Sequence, residues 1–146
     1  MENSSNSYEQ SNISIFIQFT VYISSNNLSN LLKMLNKREI NILASKLDIN
    51  NHKKQVFKFI VGKDNKQSPE DIETIQTILD NKGFRYEKNK VIKTNFTNNS
   101  VLLSSQYSSL VQNLDVTGFY YAEDGGIIYE VCCPIKAIQA LNKLIY

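Results

Sequence analysis

The sequence has very few residues of the kinds that enzymes use for chemistry. It contains a single histidine, His52, and only two cysteines and five glycines. A metal site needs a larger group of histidines, cysteines or clustered carboxylates, and a phosphate-binding loop needs closely spaced glycines. We therefore expect a non-enzymatic protein that has no catalytic residues, no metal site and no cofactor.

An excess of charge and long apolar segments are missing as well. The net charge is only +2, which is too small to counter the backbone of a nucleic acid. No apolar run approaches the ~20 residues that cross a bilayer. The polar residues that follow Met1 do not have the pattern of a secretory signal. The sequence therefore predicts a cytoplasmic protein that binds neither nucleic acid nor membranes.

The two cysteines, Cys132 and Cys133, are adjacent in the sequence. Neighbouring side chains on a strand point to opposite faces of the sheet, so we expect these thiols to lie apart. His52 stands beside two lysines in a polar stretch, which is typical of an exposed turn. Neither feature predicts redox, metal or acid–base chemistry.

What the sequence does contain is a succession of strand and helix patterns. Strict alternation of apolar residues over 13–23 predicts a strand, and leucines at helical spacing over 28–35 predict an amphipathic helix. Apolar segments at 40–49 and 55–61 predict the two strands of a hairpin. The Ser-Pro-Glu-Asp sequence at 68–71 is typical of the start of a second helix.

The same order begins again after Lys90, less clearly. A turn at 88–90 is predicted to separate a strand at 84–87 from another at 91–96. The later elements are a helix over 101–114, two strands with a hairpin turn within 116–132, and a helix that begins at Pro134. The order β-α-β-β-α-β therefore occurs twice. We expect an α+β fold of two ferredoxin-like modules in tandem, each with an antiparallel sheet and its helices on one face.

These patterns predict three segments. Residues 1–12 are polar and predict a disordered tail. Residues 13–88 make up the first module, and residues 91–146 make up the second. The second module is expected to be truncated, because the sequence ends at Tyr146 before a closing strand.

Two short motifs resemble the ACT domain, a small ligand-binding module with a ferredoxin-like fold. The first motif is the leucine helix over 28–35 followed by Ile40-Asn41-Ile42, and Asn26-Asn27 stands where the family often has a Pro-Gly turn. The second motif is the apolar pattern that follows Pro134, which is similar to the last helix of such modules. The resemblance covers two degenerate copies of the module, from about residue 13 onwards.

The resemblance implies a regulatory or sensor protein that binds a small effector, an amino acid, at the loop after a first strand. Amide side chains and the N–H groups of a helix N-terminus would bind the carboxylate of the effector. Helix capping explains the same polar residues without any ligand. The candidate ligand-binding residues are Ser24, Ser25, Asn26, Asn27 and Asn41 in the first copy, and Asn98, Asn99 and Ser100 in the second.

The alternative is an adaptor that presents its sheet to another protein and binds no small ligand. Tyr120, Tyr121 and Tyr129 fall in the second predicted hairpin, and tyrosine is favoured at protein interfaces. Sheets of this kind rarely leave their edges free. We therefore expect a homo-oligomer or a complex with a protein partner.

Overall fold

The computed structural model describes residues 13–49, 55–95 and 103–144. The predicted tail at 1–12, the histidine His52, and the second group of candidate ligand residues, at 98–100, lie outside these ranges. The described residues form an α+β fold, and the strand pairings they make are antiparallel. No helix in the described ranges is long and apolar enough to cross a membrane.

The described elements are six strands and four helices. The strands are β1 (Ile13–Ile23), β2 (Ile42–Ile49), β3 (Gln55–Val61), β4 (Arg85–Thr94), β5 (Val116–Tyr121) and β6 (Ile127–Val131). The helices are α1 (Ser25–Lys37), α2 (Pro69–Lys82), α3 (Leu103–Asn113) and α4 (Pro134–Asn142). Chain order is β1-α1-β2-β3-α2-β4-α3-β5-β6-α4.

Helix α2 has the boundaries that its sequence predicts. The Ser68 Oγ accepts a hydrogen bond from the N–H of Glu70 at 3.2 Å, and Pro69 occupies the first turn. Gly83 ends the helix in the left-handed conformation, with φ of 69°. A side chain with a Cβ adopts this conformation at a cost, so glycine suits the position.

The expected turn at 88–90 is wrong, because β4 runs without a break from Arg85 to Thr94. The residues of the expected turn are polar, and their side chains are exposed. An exposed polar side chain does not interrupt the hydrogen-bonding of a strand. In addition, Asn89 Oδ1 accepts a hydrogen bond of 3.4 Å from Gln18 Nε2 on β1.

The expected separation of the two cysteines is also wrong. Strand β6 ends at Val131, and Cys133 is already the N-cap of α4, with φ of −139° and ψ of 89°. The alternation of side chains along a strand therefore does not apply to this pair. The Sγ atoms of Cys132 and Cys133 lie 2.9 Å apart.

Contacts divide the chain into two compact units. The first unit is Ile17–Asn89. The described part of the second unit begins with Ile13–Phe16 and continues from Lys90 onwards. Strands β1 and β4 thus each contribute residues to both units.

The first unit has the strand order β2-β3-β1-β4. On β1, Phe19 pairs with Phe59 of β3, and Val21 pairs with Phe57. Alternate residues of β1 share one face of the sheet, and α1 and α2 both pack on that face. The helices bury an apolar stripe against it, which consists of Leu28, Leu31, Leu35, Ile75, Ile78 and Leu79.

The second unit has the strand order β1-β4-β6-β5, in which β1 contributes Ile13–Phe16. Ile92 of β4 pairs with Tyr129 of β6, and both side chains are fully buried. Helices α3 and α4 pack against this part of the sheet through Leu110 and Leu141, among others. The two helices are also joined where Ser109 Oγ donates a hydrogen bond of 3.1 Å to the carbonyl of Ala140.

An ion pair fixes the turn between β5 and β6. Lys93 Nζ donates to Asp124 Oδ2 at 2.7 Å, and the N–H of Gly126 donates to Asp124 Oδ1 at 2.9 Å. Partial burial alone would raise the pKa of Asp124, but the hydrogen bonds from Lys93 and Gly126 outweigh it and hold the pKa below its ordinary value. The charged form of Asp124 therefore stabilises the turn.

The first prediction concerns the core of the first unit. Leu31 is 1% exposed, whereas its neighbour Leu32 is 36% exposed. We expect Leu31→Ala to lower the free energy of unfolding by about 2–5 kcal/mol, because the substitution leaves a cavity in the core. Leu32→Ala is the matched control and is expected to cost less than about 1 kcal/mol. Urea denaturation measures both, and equal losses would contradict the assigned orientation of α1.

The second prediction concerns the pH dependence of Asp124. Because its pKa is lower in the folded state than in the unfolded state, its contribution is present at neutral pH and is lost as the pH falls below about 4. We expect Asp124→Asn to cost about 1–3 kcal/mol at pH 7, since the buried Lys93 loses its charged hydrogen bond to the Asp124 carboxylate. In urea denaturation, the difference in the free energy of unfolding between Asp124→Asn and the wild type should become smaller as the pH is lowered from 7 to 3.

Asp48→Asn is the matched control for Asp124→Asn. Asp48 pairs with Lys46 at 3.6 Å, and both side chains are exposed, so the loss should stay below about 1 kcal/mol at either pH. If the cost of Asp124→Asn is the same at pH 3 as at pH 7, the ion pair does not stabilise the turn through its charge.

Candidate functional site

The junction between β1 and α1 brings together four of the candidate ligand-binding residues. Ser24 is the N-cap of α1: its Oγ accepts a hydrogen bond of 3.4 Å from the N–H of Asn27, and its carbonyl accepts one of 2.8 Å from the N–H of Leu28. Ser25 and Asn26 lie in the first turn of the helix. All four candidate residues, 24–27, are exposed. This junction is therefore an accessible cluster of hydroxyl and amide groups.

The electrostatics of the junction favour an anion. A helix N-terminus carries a partial positive charge, because its first N–H groups have no partners within the helix. The first turn of α1 contains no acidic residue that would offset this charge. By contrast, Glu70 and Asp71 occupy the first turn of α2. Of these two helices, α1 is the one whose positive end is left uncompensated by side chains in its first turn.

Gln55, at the start of β3, completes the cluster and was missed by the sequence analysis. Its Nε2 donates a hydrogen bond of 2.8 Å to Ser25 Oγ. Its Oε1 is buried and has no hydrogen-bond partner among the described residues. A buried acceptor without a partner is costly, so a donor that reached it would be bound favourably. The pairing of Gln55 with Ile23 explains its position, since this register brings the start of β3 next to the end of β1.

Asn41 lies elsewhere in the first unit. It follows the C-terminal end of α1, a helix of 13 residues, so the length of the helix, about 20 Å, separates it from the β1–α1 junction. Its Nδ2 donates a hydrogen bond of 2.8 Å to the carbonyl of Gly62, and its carbonyl accepts one of 3.0 Å from the N–H of Gly62. The structure thus does not bring Asn41 together with residues 24–27.

In the sequence, Asn98, Asn99 and Ser100 fall between β4 and α3, and they lie outside the described residues. Strand β4 and helix α3 themselves are joined by a buried polar group. Thr94 Oγ1 and Tyr129 OH donate hydrogen bonds of 3.0 Å and 2.8 Å to Gln106 Oε1.

This polar group fixes the first turns of α3 to the end of β4. Burial raises the pKa of Tyr129 above its ordinary value, so its hydroxyl stays protonated and acts as a donor. Sequence reasoning missed Gln106, because a glutamine at a helical core position is not distinguished by spacing alone. Thr94 had been placed only in a predicted strand, and Tyr129 had been expected at a protein interface.

Two grooves on the surface lie away from the β1–α1 junction and from the polar group around Gln106. One, of about 260 Å³, lies between α3 and α4 and includes Lys136 and Lys143. The other, of about 320 Å³, is lined by Arg38 and by residues of α2. Neither groove contains a candidate ligand-binding residue. No group of three or more His, Cys, Asp or Glu side chains among the described residues is arranged to hold a metal ion.

The sequence matches no protein-family model and no curated protein. The fold, in contrast, is similar to that of several solved structures. Protein BT0572 from Bacteroides thetaiotaomicron is 17% identical, with a TM-score of 0.71, and the alignment covers 90% of each chain. The ligand-free regulatory subunit of aspartate kinase from Thermus thermophilus is 11% identical, with a TM-score of 0.60, over 92% of this chain and 97% of that one.

The aspartate kinase from Clostridium acetobutylicum, described as an allosteric enzyme, is also similar. It is 12% identical, with a TM-score of 0.56, over 92% of this chain and 34% of the kinase. At such low identities the likeness concerns the fold. It confirms that this chain has the ACT-like fold that its sequence motifs suggested.

Proposed function

We propose that this protein is a non-enzymatic regulatory protein that binds a small effector, an amino acid, at the β1–α1 junction. The observation that carries the proposal is the exposed N-terminus of α1, which has no acidic residue in its first turn. It lies beside Gln55 Oε1, which has no hydrogen-bond partner among the described residues. The likeness to the regulatory subunit of an aspartate kinase supports a regulatory role, because its fold covers nearly the whole of both chains.

The carboxylate and the ammonium group of an amino acid suit, respectively, the donors at the start of α1 and the acceptor Gln55 Oε1. The carboxylate would accept hydrogen bonds from the N–H groups at the start of α1 and from the amides of Asn26 and Asn27. The ammonium group would donate to Gln55 Oε1, which needs a donor. Ser25 Oγ holds the other end of the Gln55 amide, so the acceptor is oriented before the effector arrives.

In this proposal, residues 13–88 and 91–146 are two ACT-like modules. The units follow these bounds closely, except that Ile13–Phe16 belongs to the second unit. The strand orders support the proposal. The order in the first unit is β2-β3-β1-β4, and the second unit has the corresponding order β5-β6-β4-β1 when β4 is taken as its first strand and β1 as its last. In the second unit, Ile13–Phe16 of β1 would serve as the closing strand that the sequence analysis expected to be missing. Asn98, Asn99 and Ser100 would then be a second effector-binding loop, and Asn41 would contribute to positioning β2.

A protein adaptor is the second candidate function, and exposed apolar residues on two strands favour it. Leu47 and Ile49 of β2 are 45% and 73% exposed, and Tyr121 of β5 is 57% exposed. Strands β2 and β5 each lie at an end of the strand order of their unit. Tyr120 and Tyr129 are buried, so Tyr121 is the member of the predicted tyrosine group that would reach a partner. Self-association through such a strand would give a homo-oligomer.

The third prediction tests the effector site by thermal shift. We expect at least one of the standard amino acids to raise the melting temperature, because a ligand at a hundred times its Kd stabilises the fold by about 2.7 kcal/mol. Asn27→Ala and Gln55→Leu should each weaken the apparent affinity by about tenfold, since each removes one hydrogen-bonding group.

The matched control is Asn36→Ala, an exposed asparagine in the last turn of the same helix. It should bind the effector as the wild type does. If no amino acid stabilises the wild type, or if Asn36→Ala weakens binding as much as Asn27→Ala, the proposed effector site is wrong. A saturable complex with a purified protein partner, with no response to amino acids, would favour the adaptor.

A further inference from the structure

The chain has only two cysteines, and both lie where β6 ends and α4 begins. Their Sγ atoms are 2.9 Å apart, so a disulfide bond of about 2.05 Å would need the sulfurs to approach by about 0.9 Å. Cys132 is exposed and Cys133 is partly exposed. We propose that this pair is a redox site, which a low-molecular-weight disulfide such as glutathione disulfide oxidises reversibly to an intramolecular disulfide.

The thiol–disulfide exchange takes place in two steps. The thiolate of Cys132 attacks one sulfur of the small disulfide, which forms a mixed disulfide and releases one small thiol. Cys133 then loses its proton to solvent and attacks the Cys132 sulfur, which forms the bond between the two cysteines and releases the second small thiol. Two electrons and two protons leave the protein, and the small disulfide is reduced to two thiols.

The surroundings of the two sulfurs assign these roles. The hydrogen-bonding contact with Cys132 raises the pKa of Cys133, and burial and Asp115 act in the same direction, against the opposing effect of Lys136. Cys133 therefore tends to keep its proton, while the more exposed Cys132 meets the small disulfide first. Cys132 is the attacking thiol and Cys133 is the resolving thiol.

The geometry of adjacent residues makes the resulting bond easy to reduce. Cα atoms of neighbouring residues are about 3.8 Å apart, which is shorter than the separation of ~4.4 Å or more found in ordinary disulfides. The ring that closes between Cys132 and Cys133 is therefore strained. Strained and exposed disulfides have high reduction potentials and belong to the labile, regulatory kind.

Oxidation of the two cysteines would affect helix α4, which begins directly after Cys133. The carbonyl of Cys133 accepts a hydrogen bond of 3.0 Å from the N–H of Ala137 in the first turn of α4. The N–H of Cys132 donates one of 3.2 Å to the carbonyl of Asp115, just before β5. Ring closure changes the backbone angles at both cysteines, so these two hydrogen bonds weaken. Since Ala137 belongs to the core of the second unit, the redox state would alter how firmly α4 is held there.

The test is to incubate the full chain with glutathione disulfide and to measure its intact mass without reductant. We expect the wild type to lose the mass of two hydrogen atoms and to remain a single chain on a non-reducing gel. Cys133→Ser should instead keep a glutathionyl adduct, because it has no resolving thiol. Cys132→Ser should react more slowly than Cys133→Ser.

A persistent adduct on the wild type, a disulfide between two chains, or no reaction would each overturn the proposal. Because the chain has no other cysteine, each of these products is identified by mass and gel mobility alone. Amide hydrogen exchange tests the effect on α4. The Ala137 amide should exchange several-fold faster in the oxidised wild type, whereas Ile75 on α2 should not change. An unchanged Ala137 would refute the link to α4.

Discussion

The hydrophobic core of the first unit depends on the alternating face of one strand, β1. Phe19, Val21 and Ile23 of this strand belong to that core. Because successive side chains of a strand alternate between faces, a shift of register by one residue would turn all three away from α1 and α2. The pairing of Phe19 with Phe59 and of Val21 with Phe57 opposes such a shift, since these large side chains fit only one register.

The same strand determines where the candidate site lies. β1 ends at Ile23, and Ser24 immediately caps α1, so the positive end of the helix is presented beside the start of β3. Gln55 lies there because the antiparallel register pairs it with Ile23. An accessible helix N-terminus and two asparagine amides thus come from α1, and a buried acceptor comes from β3. Their combination suits a small zwitterion better than a simple anion, because it offers both donors and an acceptor.

Much of the fold was predictable because its signals are local. Alternation defined β1 with its observed bounds, leucine spacing located α1, and the Ser-Pro-Glu-Asp sequence located the start of α2. The turn expected at 88–90 was wrong because polarity is a poor guide to strand breaks when the side chains are exposed. The positions of Gln55 and of Ile13–Phe16 depend on strand pairing between distant residues, which no local pattern encodes. The cysteines were misplaced because β6 ends one residue before Cys132.

The most direct measurement is a titration of isotopically labelled protein with individual amino acids, followed by NMR. We expect saturable changes of chemical shift that are largest at the backbone amides of Ser25 and Asn26 and at the side-chain amide of Gln55. Amides that line the groove between α3 and α4, such as Gln139, should not change. Shifts that are absent at high concentration, or that fall only outside the β1–α1 junction, would contradict the proposed effector site.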